Sequence, residues 1–166
     1  MDFIDEIIER EGGARETNDP ADAGGRTKYG ISERGNPDLW RDGPPTYAQA
    51  RQRFSERYVA PFASLSDPFL KAQLADWGVT SGPGHVAKVL QQLLRLNADG
   101  KVGPKTVAAA TNYPAGFLFG HPVPGSVLLN LAVRDARMLH YAGITKAKPS
   151  NLRFILGWLR RAMEFL

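Results

Sequence analysis

The chain has 166 residues, no cysteine, and 21 Lys and Arg against 17 Asp and Glu, a formal charge of +4. That length buries a core without covalent staples, and the missing cysteine excludes disulfides, thiol nucleophiles and cysteine-held metals. The charge is polarised: residues 1–25 hold eight acidic residues against Arg10 and Arg15, whereas residues 134–161 hold seven basic residues against Asp135. A basic C-terminal segment favours anionic polymers, among which cell-wall glycan with its peptide carboxylates and nucleic acid both qualify. No apolar run is long enough for a signal-peptide core or a bilayer span, so the expectation is a protein made in the cytoplasm that reaches any outside target by another route.

Residues 2–10 are predicted as a helix with Phe3, Ile4, Ile7 and Ile8 on one face, and Glu11 falls on that face four residues after Ile7 and three after Ile8. Gly12-Gly13 supplies the left-handed residue that ends a helix, which leaves Glu11 in the last turn. There it is drawn toward the apolar side and against the negative end of the helix dipole. Both effects favour a protonated carboxyl, the form that a general acid for glycosidic cleavage requires. A polar, glycine-rich loop follows from Asp19 to Gly25, and residues 26–32 are a short β candidate. Trp40 lies in a polar loop with Asp38 and Arg41 and is a candidate for an exposed sugar-stacking platform.

Thr46-x-x-Gln49 is a capping box, opening a helix in which Tyr47, Ala50, Phe54 and Tyr58 recur at helical spacing until Pro61. Asp67-Pro68 starts another, with Phe69, Leu70, Leu74 and Trp77 expected inward. Val86, Val89, Leu90, Leu93 and Leu94 form the strongest apolar stripe and are expected at the centre of the core. Asp99-Gly100 is a turn, and Pro104 suits the first position of a short helix ending near Ala110. Residues 112–125 read as a loop anchored by Phe117 and Phe119. Two helices, about 127–141 and 150–166, close the chain.

Several chemistries lack support. Asp22 and Glu33 are spaced like the ends of a calcium loop, but Arg26 and Thr27 occupy its fifth and sixth positions and exclude it. His85, His121 and His140 are scattered in the sequence without a metallopeptidase signature, and neither a Gly-x-Ser-x-Gly elbow nor a phosphate-binding loop occurs. No metal and no cofactor are expected.

Glu11-Gly12-Gly13, followed by Asp22-x-Gly24-Gly25-x-Thr27-x-Tyr29-Gly30-Ile31, resembles the catalytic segment of glycoside hydrolase family 108, the N-acetylmuramidases of phage endolysins and bacterial lysozymes. Four more pieces of the family pattern follow in order: Asp76-x-x-Val79-x-Ser81-Gly82, Leu90-Gln91, Asp99-Gly100-x-Val102-Gly103-Pro104-x-Thr106, and Gly157-Trp158-x-x-Arg161. Thr80 departs from it, since the family usually shows Asn there.

The resemblance implies a mainly α, lysozyme-like α+β fold, a helical body with a small N-terminal β-hairpin, divided into a catalytic lobe over 1–82 and a peptidoglycan-binding-like lobe over 83–166. It implies hydrolysis of the β-1,4 bond between N-acetylmuramic acid and N-acetylglucosamine, with Glu11 as general acid. Asp22 is the candidate water-aligning base and Thr27 its helper, while Asp19 competes for the carboxylate role. Candidate substrate contacts are Asp19, Tyr29, Trp40, Asp76 and Ser81. An inverting mechanism would separate the two carboxylates by about 6.5–9.5 Å and a retaining one by about 5–5.5 Å, and the sequence leaves both open. Such a protein would act as a monomer on peptidoglycan, released by a holin if it is a phage or prophage endolysin. The rival readings are a non-catalytic wall-binding module, a lytic transglycosylase and a nucleic-acid-binding protein, the last without the aromatics such surfaces interleave with their basic residues.

Overall fold

The computed structural model describes residues 3–18 and 25–165, apart from the side chain of Phe3. In chain order these form α1 (Phe3–Arg10), β1 (Thr27–Lys28), β2 (Ile31–Ser32), α2 (Tyr47–Phe54), α3 (Pro68–Ser81), α4 (Pro83–Leu93), α5 (Pro104–Thr111), β3 (Gly116–Leu118), β4 (His121–Val123), α6 (Gly125–Ala147) and α7 (Leu152–Met163). The class is mainly α with a small N-terminal hairpin, as expected. The structure forms two compact units, one over 1–57 and one over 58–166.

In the first unit, Ile7 and Ile8 of α1 are fully buried with Ala50 and Phe54 of α2. The Thr46 capping box closes at both ends: Gln49 N–H donates to the Thr46 hydroxyl and Thr46 N–H to the Gln49 side chain, at 3.3 and 2.8 Å. Asp5 ties the two helices together, accepting from the Tyr47 hydroxyl at 2.6 Å and pairing with Arg51 at 3.3 Å. Pro61 has no amide hydrogen with which to continue the ladder, and α2 accordingly loosens into a π turn over Ser55–Val59 and tightens into a 3-10 turn over Ala60–Phe62.

The second unit packs α3 on α4 and α6, and α6 on α7. Asp67 caps α3 by accepting from Phe69 and Leu70 N–H at 2.9 and 3.1 Å, with Pro68 at the first helical position. Leu70, Leu74, Trp77, Val86, Leu90, Leu129, Val133 and Tyr141 form its core. Phe69 points elsewhere, at 68% exposure, because it lies about 100° around the helix from Leu70.

Two polar knots hold this unit. Asp76 on α3 is fully buried and accepts from Arg137 of α6 at 2.6 Å and from Arg161 Nε of α7 at 2.8 and 3.0 Å. Gln91 on α4 is saturated: its amide nitrogen donates to Asp99 Oδ1, the Lys101 carbonyl and the Thr106 hydroxyl at 2.7, 2.9 and 3.3 Å, and its oxygen accepts from Gly100 N–H at 2.9 Å. Hydrogen bonds from Gln91 and Lys101 hold the Asp99 carboxyl below the usual carboxylate range.

The segment expected as an anchored loop is a hairpin instead. Strands β3 and β4 pair Gly116 with Val123, Phe117 with Pro122 and Leu118 with His121, leaving Phe119-Gly120 as a two-residue turn. Phe117 and Phe119 are exposed, the latter at 93%, because the turn carries them away from the core.

Removing Asp76 would strand two guanidiniums in the interior. Asp76→Ala should therefore lower unfolding free energy by about 3–5 kcal/mol, read from the urea midpoint. A loss below about 1 kcal/mol would contradict the role given to this carboxylate.

Candidate active site

Helix α1 ends in a double closure. Gly12 N–H donates to the Glu9 carbonyl at 3.3 Å and Gly13 N–H to the Ile8 carbonyl at 3.0 Å, with Gly12 at φ +113. These are the two bonds of a Schellman motif, and they make Glu11 the C-cap residue. The hairpin is clipped to this helix end, since Tyr29 N–H donates to the Gly13 carbonyl at 3.0 Å.

The hairpin itself pairs Thr27 with Ser32 and Lys28 with Ile31, so Tyr29-Gly30 is its turn. Both turn residues are left-handed, φ 53 and 73, the pattern of a type I′ turn. Glycine adopts that conformation freely and a tyrosine does not, so Tyr29 holds a strained backbone. Its ring meets the edge of Tyr47 at 5.5 Å, and the Lys28 ammonium lies 5.4 Å from its centre. The bond to Asp5, followed by burial, pushes the Tyr47 hydroxyl up to about 12.

Gly30 matters for a second reason. A Cβ at this position would lie 2.7 Å from Glu11 Cβ and 3.0 Å from Phe54 Cζ. The turn backbone thus presses on the stem of Glu11 while the residue itself stays exposed. The burial expected for Glu11 is not found: the residue is exposed, although its N–H still donates to the Ile7 carbonyl at 3.0 Å in the α-helical manner.

Behind the turn, Thr17 and Thr27 exchange two backbone hydrogen bonds of 2.9 Å, which sets the chain leaving α1 beside β1. Arg26 grips Glu33 with two bonds of 3.1 and 3.0 Å, and its guanidinium covers Trp40 at 4.8 Å. The bond from Arg26 holds the Glu33 carboxyl below its ordinary range, as Arg53 does for Asp38. Arg53 also donates to Asn36 Oδ1 at 2.8 Å, fastening the loop after β2 to α2.

The predicted site residues fare differently. Tyr29 is tied through its N–H to Gly13 at the helix end that carries Glu11, and Thr27 stands in β1 of the same hairpin, whereas Asp19 and Asp22 lie outside the described residues. Trp40 is no exposed platform: it is 5% exposed, its indole N–H donates to the Ile31 carbonyl at 3.2 Å, and Arg26 shields its face. Asp76 is no substrate contact either, because both carboxylate oxygens are committed to Arg137 and Arg161 inside the second unit. Ser81, also in that unit, lies 3.2 Å from His140 Nε2. The histidines are less scattered than expected, since the rings of His85 and His140 approach to 4.7 Å. Burial first, and then the neighbouring His85, lowers the pKa of His140. Sequence reasoning missed the close approach of Gly30 to both Glu11 and Phe54, and its one local signal was Tyr-Gly between two short β-like runs. Among the described residues, no group of three or more His, Asp or Glu is placed to hold a metal ion.

An exposed carboxyl group on a helix end, its stem fixed by a hairpin turn, can in its protonated form donate a proton to a leaving oxygen of a polymer that approaches from solvent. Residues 4–82 match the family profile described as Glycosyl hydrolase 108, and residues 85–163 match one described as "Predicted Peptidoglycan domain". No curated protein matches the chain. Among solved structures it is similar to Brucella abortus SagA, at 23% identity and a TM-score of 0.67 over 96% of this chain and 87% of that one, a likeness of fold. The chain thus joins a segment over 4–82 that matches the glycosyl hydrolase 108 family to one over 85–163 that matches the peptidoglycan domain family, and the two matches together support a glycoside hydrolase acting on peptidoglycan.

Proposed function

We propose that the chain is an N-acetylmuramidase, a lysozyme that hydrolyses the β-1,4 bond between N-acetylmuramic acid and N-acetylglucosamine. The observation that carries this reading is the clamp on Glu11: the C-cap of α1 fixes its backbone and Gly30 fixes its stem, within the segment that matches the hydrolase family. In this reading the Glu11 carboxyl gives its proton to the glycosidic oxygen as the bond from the anomeric carbon to that oxygen breaks. Water then adds to the oxocarbenium-like carbon and loses its proton to a second carboxylate. Asp22 is proposed for that base, with the Thr27 hydroxyl helping to hold the water and Asp19 as its competitor. Tyr29 borders the sugar site. Residues 83–166 are proposed as the wall-binding half, and the whole as a monomeric, bacteriolytic endolysin of a phage or prophage that passes the membrane with a holin and uses no cofactor.

Glu11→Gln should cut cleavage of purified peptidoglycan about 10²–10⁴-fold while binding to sacculi and helix content stay unchanged. Activity near that of the parent would sink the assignment. Asp22→Asn should lower kcat with little effect on KM, more than Asp19→Asn does, and the reverse ranking would move the base to Asp19. Mass spectrometry of the products decides the bond chemistry, because hydrolysis leaves a reducing end and a transglycosylase leaves a 1,6-anhydro end.

The clamp has its own test. Gly30→Ala should reduce kcat by about 10–100-fold, since its Cβ must displace the Glu11 stem. Gly43, at φ +116 with nothing within 4 Å of a built Cβ, is the control. Gly43→Ala costs the same kind of backbone strain, about 1–2 kcal/mol, and should leave kcat near that of the parent. Equal kcat losses in the two variants would show that Gly30 acts through stability alone.

A further inference from the structure

Helix α7 uses one side for the fold. Ala162 is fully buried, Arg161 reaches Asp76 at 2.8 Å, and Trp158 stacks on Tyr141 at 5.2 Å. Another side stays in solvent. Leu152, Leu156 and Met163 are 63, 67 and 52% exposed, and their spacing of four and then seven residues puts them on one stripe. Arg153 and Arg160, both exposed, border it, and the Arg153 guanidinium lies 4.6 Å from the ring centre of exposed Phe154. Between Asp135 and Glu164 the chain holds no acidic residue, while exposed Lys146 and Lys148 precede the helix.

We propose that α7 is a docking surface for an anionic lipid bilayer, on which it lies flat. Leu152, Leu156 and Met163 enter the acyl boundary, and Arg153 and Arg160, with Lys146 and Lys148, meet lipid phosphates. An apolar stripe next to cations and free of carboxylates over its length matches the two layers of such an interface. Paired against a second copy of the same stripe, the helix would bring arginine edges together, with Glu164 as the one acid near the helix end to offset them. Leu and Met side chains give a glycan no hydrogen bond. A helix of 12 residues is about 18 Å long, too short to span a bilayer but long enough to lie in its surface.

The test uses the full chain and flotation with vesicles of phosphatidylethanolamine and phosphatidylglycerol, compared with phosphatidylcholine alone. The chain should float with the anionic vesicles, weaken as salt rises to about 0.5 M, and leave the neutral ones. L152Q/L156Q and, separately, R153Q/R160Q should each lower partitioning by about tenfold or more, and since all four residues are exposed, melting temperature should hold. Phe119→Ser, at the exposed tip of the second hairpin, should float as the parent does. The proposal is overturned if the parent does not float, if flotation survives L152Q/L156Q, or if Phe119→Ser abolishes it. It is also overturned if light scattering shows a dimer that L152Q/L156Q dissociates while no vesicle is bound. Cleavage by Glu11 takes part in none of these readings, so the muramidase assignment stands or falls separately.

Discussion

One buried carboxylate decides which helices of the second unit can meet. Asp76 faces two guanidiniums, Arg137 fully buried and Arg161 nearly so. The surplus positive charge is spread: Arg137 Nε donates to the Tyr141 hydroxyl at 2.8 Å, and the rings of Tyr141 and Phe165 lie 5.5 and 5.9 Å from its centre. Such a cluster adds little net stability over a well-packed apolar one, because desolvation consumes most of the Coulomb gain. What it adds is register. Sliding α6 or α7 by one residue against α3 would leave a charge without its partner in the interior, which an apolar contact would tolerate. Two pieces of the sequence pattern that lie 85 residues apart, Asp76 and Arg161, are thereby a single interaction.

Gln91 does with a neutral amide what Asp76 does with charge. It orders the turn from Asp99 to Lys101 and reaches the Thr106 hydroxyl at the start of α5, so three more pattern residues share one set of hydrogen bonds. With Asp76 and Gln91 committed to structure, the chemistry proposed for the chain falls to the end of α1 and the first hairpin. The pattern marks both kinds of position with equal emphasis, and only their surroundings tell them apart.

That distinction also explains what was legible in the sequence. Thr46, Asp67, Pro68 and Pro104 announced their helices because capping is chemistry between near neighbours in the chain. The first hairpin was legible for the same reason, and so was the core at Val86 and Leu90, where the stripe is long. Trp40 was not, because its indole finds its partner on the backbone of Ile31 and its cover in Arg26, and a polar local sequence hides both. Phe117 and Phe119 misled in the opposite sense: large apolar residues suggest anchoring, yet a two-residue turn sets their direction before any core does. Glu11 illustrates the limit of periodicity, which places a residue on a face without deciding whether anything covers that face at the helix end. His85 and His140, 55 residues apart, become neighbours through packing that no spacing rule contains.

The turn at Tyr29-Gly30 has a consequence for how this chain can vary. Surface loops generally accept insertions and deletions, and a turn between two short strands is an ordinary place to find them. Here one added residue would shift the pairing of Thr27 and Lys28 with Ser32 and Ile31, send their side chains to the opposite face, and carry Gly30 away from Glu11. Length at this point is as constrained as residue identity. Relatives that keep the acid should therefore differ freely in the loops around the hairpin while holding its turn at two residues.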